Sequence, residues 1–185
     1  MKKYSQLLLG FAVILVGLLG ISSQAHAVTH YVQSSTPTIF VHGWGSSSHA
    51  EEKMANAARD AGVTKTIVRA NVDRKGKVTF NHQIPANAVN PIVEVNLEDN
   101  KLSAYQDDYT QGYHHGGGYV KNVVLALEKQ HHYKQINLVG HSMGNLEIIN
   151  YINDNVNDKS LPQVAYLVAI AGHYNGLVGQ SNVQD

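Results

Sequence analysis

The sequence predicts an α/β fold: a mostly parallel sheet with helices on both faces. Three observations carry that prediction. Apolar runs of strand length (Thr38 to Val41, Ile92 to Leu97, Ile136 to Val139, Val164 to Ala171) alternate with helix-periodic stretches, the order that parallel strands joined by crossover helices require. The last run is nearly unbroken, as in a strand buried on both faces. Two glycine-rich turns, His42-Gly43-Trp44-Gly45 and Gly140-His141-Ser142-Met143-Gly144, close such runs at their carboxyl ends, where open α/β sheets keep their reactive loops.

Residues 1–27 are read apart from the fold. Lys2 and Lys3, the apolar stretch Leu7 to Ile21, and Ala25-His26-Ala27 form the basic, apolar and cleavage regions of a secretory signal peptide. The alternative is an uncleaved anchor, for which the run is short. Residues 28–185 then form one domain. Charge is balanced, 14 basic against 14 acidic residues with no basic patch, so nucleic acid is not an expected partner. The absence of cysteine excludes disulfides and a lipid-modified N-terminal cysteine. The expected product is secreted, free or held non-covalently at the cell surface.

Taken in order, Val28 to Thr36 is a lead-in and Thr38 to Val41 a buried strand. Ser48-His49-Ala50-Glu51 has the form of a capping box. It opens a helix expected to turn Ala50, Met54, Ala57, Ala58 and Ala61 inward and to close at Gly62. Thr66 to Val72 and Lys77 to Phe80 form a hairpin about Asp73-Arg74-Lys75-Gly76. Pro85 to Pro91 links to the strand Ile92 to Leu97. Tyr105 to Tyr119, rich in glycine and histidine, reads as a loop at the rim of the site. Its His114-His115 pair lacks partners at metal-ligand spacing, so neither metal nor cofactor is expected. A helix carrying Val120, Val123, Val124 and Leu127 follows, fraying near His131-His132. After the second glycine turn comes a helix with Leu146, Ile149, Ile152 and Val156 inward, and then the strand Val164 to Ala171.

The chemistry sits in the two turns. Gly-x-Ser-x-Gly between a buried strand and a helix is the context of a nucleophile elbow. Ser142 would stand at positive φ on the tip, at a strain of about 1–3 kcal/mol, with glycine at 140 and 144 because a side chain there would collide with strand or helix. The Met143 amide, at a helix N-terminus, faces the place where an oxyanion would form. The His42-Gly43-Trp44-Gly45 turn supplies the second donor, the Trp44 amide; His42 and Gly43 are the candidate substrate-binding residues, Gly43 letting backbone approach the substrate and His42 bracing the loop through hydrogen bonds.

Thr38-Ile39-Phe40-Val41-His42-Gly43, Asn90-Pro91-Ile92-Val93, Glu98-Asp99-Asn100, Asn137 through Gly144, and Ala171-Gly172-x-Tyr174-Asn175-Gly176 occur here in order. Together they resemble the uncharacterised cell-surface α/β-hydrolases of lactobacilli and related Gram-positive bacteria, from about Thr36 to Gly176. The resemblance implies an α/β-hydrolase fold and an exported serine hydrolase, esterase- or lipase-like, acting on a small-molecule or lipid ester.

One departure goes with it. In the hydrolase order the acid and the histidine come after the serine, and in the family both lie beyond the Asn-Gly found here at Asn175-Gly176. The acids that remain downstream are Glu147, Asp154, Asp158 and Asp185; the histidine is His173. His173 ends the strand after the elbow strand and is the candidate base, although neighbouring strand ends usually hold such groups farther apart than the 2.6–3.2 Å that proton transfer needs. The resemblance thus implies a truncated and impaired hydrolase, its 28–185 α/β-hydrolase domain incomplete at the C-terminus and lacking the last strands and helices of the fold, with the Val164 to Ala171 strand left as an uncovered apolar edge, open to self-association. The alternative is an inactive exported binding or surface protein with a hydrolase-derived fold.

Overall fold

The structure, a computed structural model, describes residues 31–176. The chain divides into two units, Met1–Val32 and Gln33–Asp185. The leader read at residues 1–27 lies outside the described residues, and the second unit carries the fold.

Its elements are β1 (Thr38–Val41), α1 (Glu52–Asp60), β2 (Ile67–Val72), β3 (Val78–Phe80), β4 (Ile92–Leu97), α2 (Tyr109–Glu128), β5 (Gln135–His141), α3 (Met143–Asp154) and β6 (Gln163–Ile170), with short 3-10 turns at Ser48–Ala50 and Ser103–Tyr105. The sheet runs β3-β2-β4-β1-β5-β6. Every pairing is parallel except the β2/β3 hairpin. The alternation of apolar and helix-periodic segments dictates this: a helix between two strands returns the chain to the same end of the sheet. Side chains of Ile39, Val41, Val68, Val93, Ile136 and Leu138 meet α2 and α3 in the main core. Phe40, Ile92 and Val139 point to the other face, against Ala55 of α1. No described helix is long and apolar enough to cross a membrane.

Four expectations change. The stretch read as a rim loop is helical, because α2 begins at Tyr109, capped by the Asp108 side chain accepting from the Gln111 amide at 3.1 Å. Glycine lowers helix propensity by about 1 kcal/mol per residue, but Gly116 and Gly117 are where α3 comes close. A Cβ on Gly117 would stand 2.8 Å from the Tyr151 amide nitrogen, and one on Gly116 would stand 2.7 Å from Cγ of Glu147. Tertiary packing overrides propensity.

In α1 the inward stripe is Ala55 with half-buried Ala58, preceded by buried Glu51 just ahead of the helix, while Met54 is 40% exposed and Ala57 is exposed. The expected capping box does not form: Ser47 caps the short turn Ser48–Ala50, its Oγ accepting from the His49 amide at 3.4 Å, and α1 starts after Glu51 with no side-chain cap. In α3 the buried apolar residues are Met143, Leu146, Ile148 and Tyr151; Val156 lies beyond the helix and is 65% exposed. Finally, β6 exists but is not buried on both faces: Tyr166 is 73% and Val168 51% exposed. The expectation of an uncovered apolar edge describes it better.

Candidate active site

β5 drives straight into α3, with Ser142 as the hinge residue at φ 52°, ψ −121°. This backbone region is strained for any residue with a side chain. It persists because its surroundings over-determine it. The Ser142 amide donates to the Ile170 carbonyl at 3.0 Å. Asn145 Nδ2 donates to the carbonyls of both Ser142 and Ile170, each at 3.0 Å, clamping the tip to the end of β6. Sequence reasoning passed over Asn145; the signal was a polar residue on the first turn of a helix otherwise turned to the core, and it is 1% exposed.

The flanking glycines are required as expected. A Cβ on Gly144 would run into the Val41 carbonyl oxygen and come within 2.7 Å of that of His42, and one on Gly140 would lie 3.0 Å from Asn145 Cα. Gly43 is pressed directly against the nucleophile candidate: its Cβ would stand 2.9 Å from Ser142 Cβ and 3.4 Å from Oγ. The His42-to-Gly45 loop therefore lies over the serine, with only backbone between them.

His42 is fully buried. Its Nδ1 donates to the Gly43 carbonyl at 2.9 Å and its Nε2 accepts from the Leu97 amide at 3.1 Å. That pairing is the neutral tautomer, and burial above all lowers its pKa. The ring ties the loop to β4 and has no surface left for a substrate, so of the pair proposed for substrate contact only Gly43 faces the site. Asn100 completes the brace: its carbonyl accepts from the Gly45 amide at 2.8 Å and its Nδ2 donates to the Ser46 carbonyl at 2.5 Å. The Trp44 ring is 37% exposed and leans on Tyr109, centroids 5.5 Å apart. Met143 is the first residue of α3, so its amide has no acceptor one turn earlier in the helix.

His173 falls closer than strand-end spacing suggested. Its Nε2 is 3.4 Å from Ser142 Oγ, a little beyond the range for proton transfer but within what unliganded sites show. Its Nδ1 is buried without a hydrogen-bond partner. None of the described downstream acids meets His173 Nδ1. Asp154 pairs with His114 at 2.8 Å, Asp158 with Lys121 at 3.7 Å, and Asp185 lies outside the described residues. Glu147 is fully buried against α2, both oxygens unpartnered, and burial, with help from Asp99, pushes its carboxyl up to about 8. Behind the elbow, His141 Nδ1 stands 3.6 Å from Oε1 of Glu51, whose carboxyl burial raises to about 7. Among the described residues no group of three or more His, Cys, Asp or Glu is placed to hold a metal ion.

A family model described as "Alpha/beta hydrolase of unknown function (DUF915)" matches residues 25–185. Among solved structures, the product of the lin2722 gene of Listeria innocua aligns with a TM-score of 0.67 at 27% identity, covering 78% of this chain and 54% of that one. A protein of Lactobacillus plantarum WCFS1, provisionally named a cell surface hydrolase, aligns with a TM-score of 0.65 at 18% identity, covering 80% of this chain and 59% of that one. The chain thus spans somewhat more than half the length of each. None of the curated proteins matches it significantly.

Proposed function

The chain belongs to this family of alpha/beta hydrolases, and from that premise we propose that it is an exported serine hydrolase that cleaves an acyl ester through Ser142. The observation that carries the reading is the strained Ser142 tip with Oγ held between the Gly43 backbone and His173 Nε2. In the proposed reaction His173 Nε2 takes the hydroxyl proton as Oγ attacks the ester carbonyl carbon. The oxyanion is held by the Met143 and Trp44 amides, each donor contributing roughly 2.7–4 kcal/mol. Collapse expels the alcohol, which takes the proton from the imidazolium, and water repeats the sequence on the acyl-enzyme. Thioesters and peptides share the mechanism and stay within the proposal. Export rests on the composition of residues 1–27.

A second reading, an exported binding protein with a hydrolase-derived fold, draws on one observation: among the described residues no acid orients His173 through its Nδ1. A fluorophosphonate probe separates the two. Labelling of the purified chain that disappears in Ser142→Ala supports the hydrolase; an unlabelled, folded chain sinks it in favour of the binding protein.

A further inference from the structure

At the sheet edge opposite β6, a groove of about 600 Å³ opens between β3 and α2. Lys75, Lys77 and Lys129 line it, with Val78, Phe80 and Leu125 as its apolar surface. No carboxylate lines it, and among the described residues none of the three ammonium groups enters an ion pair. Asp73, the acid nearest in sequence, turns one oxygen to the amides of Lys75 and Lys77 at 2.9 Å each, closing the hairpin turn. Leu125 is left 39% exposed on the helix facing this hairpin.

The lysines do not ride on a loose loop. Asn122 Nδ2 of α2 donates to the Gly76 carbonyl at 3.0 Å, and the Tyr119 hydroxyl donates to the Arg74 carbonyl at 3.1 Å. The turn that carries Lys75 and Lys77 is thereby tied to the helix whose end carries Lys129. Three like charges fixed around one concavity repel one another, and an anion seated among them removes that repulsion. A bare anion would leave Val78, Phe80 and Leu125 in water; an apolar tail would cover them.

The geometry points to a binding groove for an amphipathic anion, a molecule joining an alkyl or aryl body to a carboxylate or a phosphate. It uses none of the residues around Ser142 and does not depend on their chemistry. Calorimetric titration of the full chain with decanoate and with decyl phosphate, both below their micelle concentrations, tests it against decanol and inorganic phosphate. One-to-one binding of either amphiphile is expected, at least about tenfold tighter than either control. Preference for decanoate assigns a fatty-acid-like ligand and preference for decyl phosphate a lipid headgroup. The K77E/K129E double variant, altered only at exposed side chains, is expected to lose at least about tenfold with an unchanged melting temperature, and Leu125→Asp likewise. No binding of either amphiphile, equal binding of decanol or of inorganic phosphate, or undiminished affinity in K77E/K129E overturns the assignment.

Discussion

β1 and β6 flank the same strand and have met different fates. Both pair in parallel with β5, Val41 beside Gly140 and Val168 beside Val139. Both are apolar runs that a sequence reading treats alike. Yet Val41 is fully buried, whereas Val168 is 51% exposed, because β1 lies inside the sheet between helix layers and β6 lies at its edge. The candidate site straddles this boundary. The serine and the loop over it belong to the packed side, and His173 to the end of the open strand. The difference teaches that an apolar run reports what a strand could bury, not what covers it.

The comparison can be broken most sharply at Gly144, where the packed side has no slack. Gly144→Ala drives a methyl into the backbone of β1, and the expected cost is more than about 4 kcal/mol, or no folding at all. Urea unfolding measures it, and a near-neutral result would mean the elbow is loosely held. On the open side, His173→Ala should change the unfolding free energy by less than about 0.5 kcal/mol but slow ester hydrolysis or fluorophosphonate labelling by about 10²–10⁴. Unchanged labelling would remove His173 from the proposed mechanism.

Glu147 is the weak point of the packed side. Its carboxyl stays protonated in the fold up to about pH 8, while in the unfolded chain it ionises near 4.5. Below 4.5 both states hold the proton and nothing is lost. As pH rises from 4.5 to about 8 only the unfolded state releases it, so stability falls across that window and the loss is complete above it. Glu147→Gln should therefore stabilise the chain at pH 8 by on the order of 4 kcal/mol, with the gain vanishing at pH 4. A gain independent of pH would place its cause elsewhere. The smallest effects come from the matched pair itself. Val41→Thr buries a hydroxyl and should cost about 1–3 kcal/mol, whereas Val168→Thr should stay within about 0.5 kcal/mol. Equal costs would show that β6 is covered in solution.

Much of this was legible in the residues. The strand runs, the hairpin about Gly76 and the glycine-serine-glycine hinge each arise from local steric rules that the chain carries with it. The glycine run at 116–118 misled, because propensity speaks of an isolated helix and here each close approach is set by α3, which lies some thirty residues away in the chain. Asn145 and Glu147 were illegible for a related reason: whether a polar residue on a helix faces water or core depends on the neighbouring layer. The reach of His173 to Ser142 was undecidable too, since it turns on how the chain bends after β6.

The sequence by itself determined the parallel α/β order, the strained serine between glycines, and the backbone-only loop beginning at His42, since local sterics and hydrophobic period are properties of the chain. Only the tertiary structure decided that Asn145 clamps the serine tip to the end of β6, that a buried acid sits behind the elbow helix, and that three lysines gather around one groove. Each of those depends on which surfaces meet across long sequence separations, and neither periodicity nor propensity encodes that.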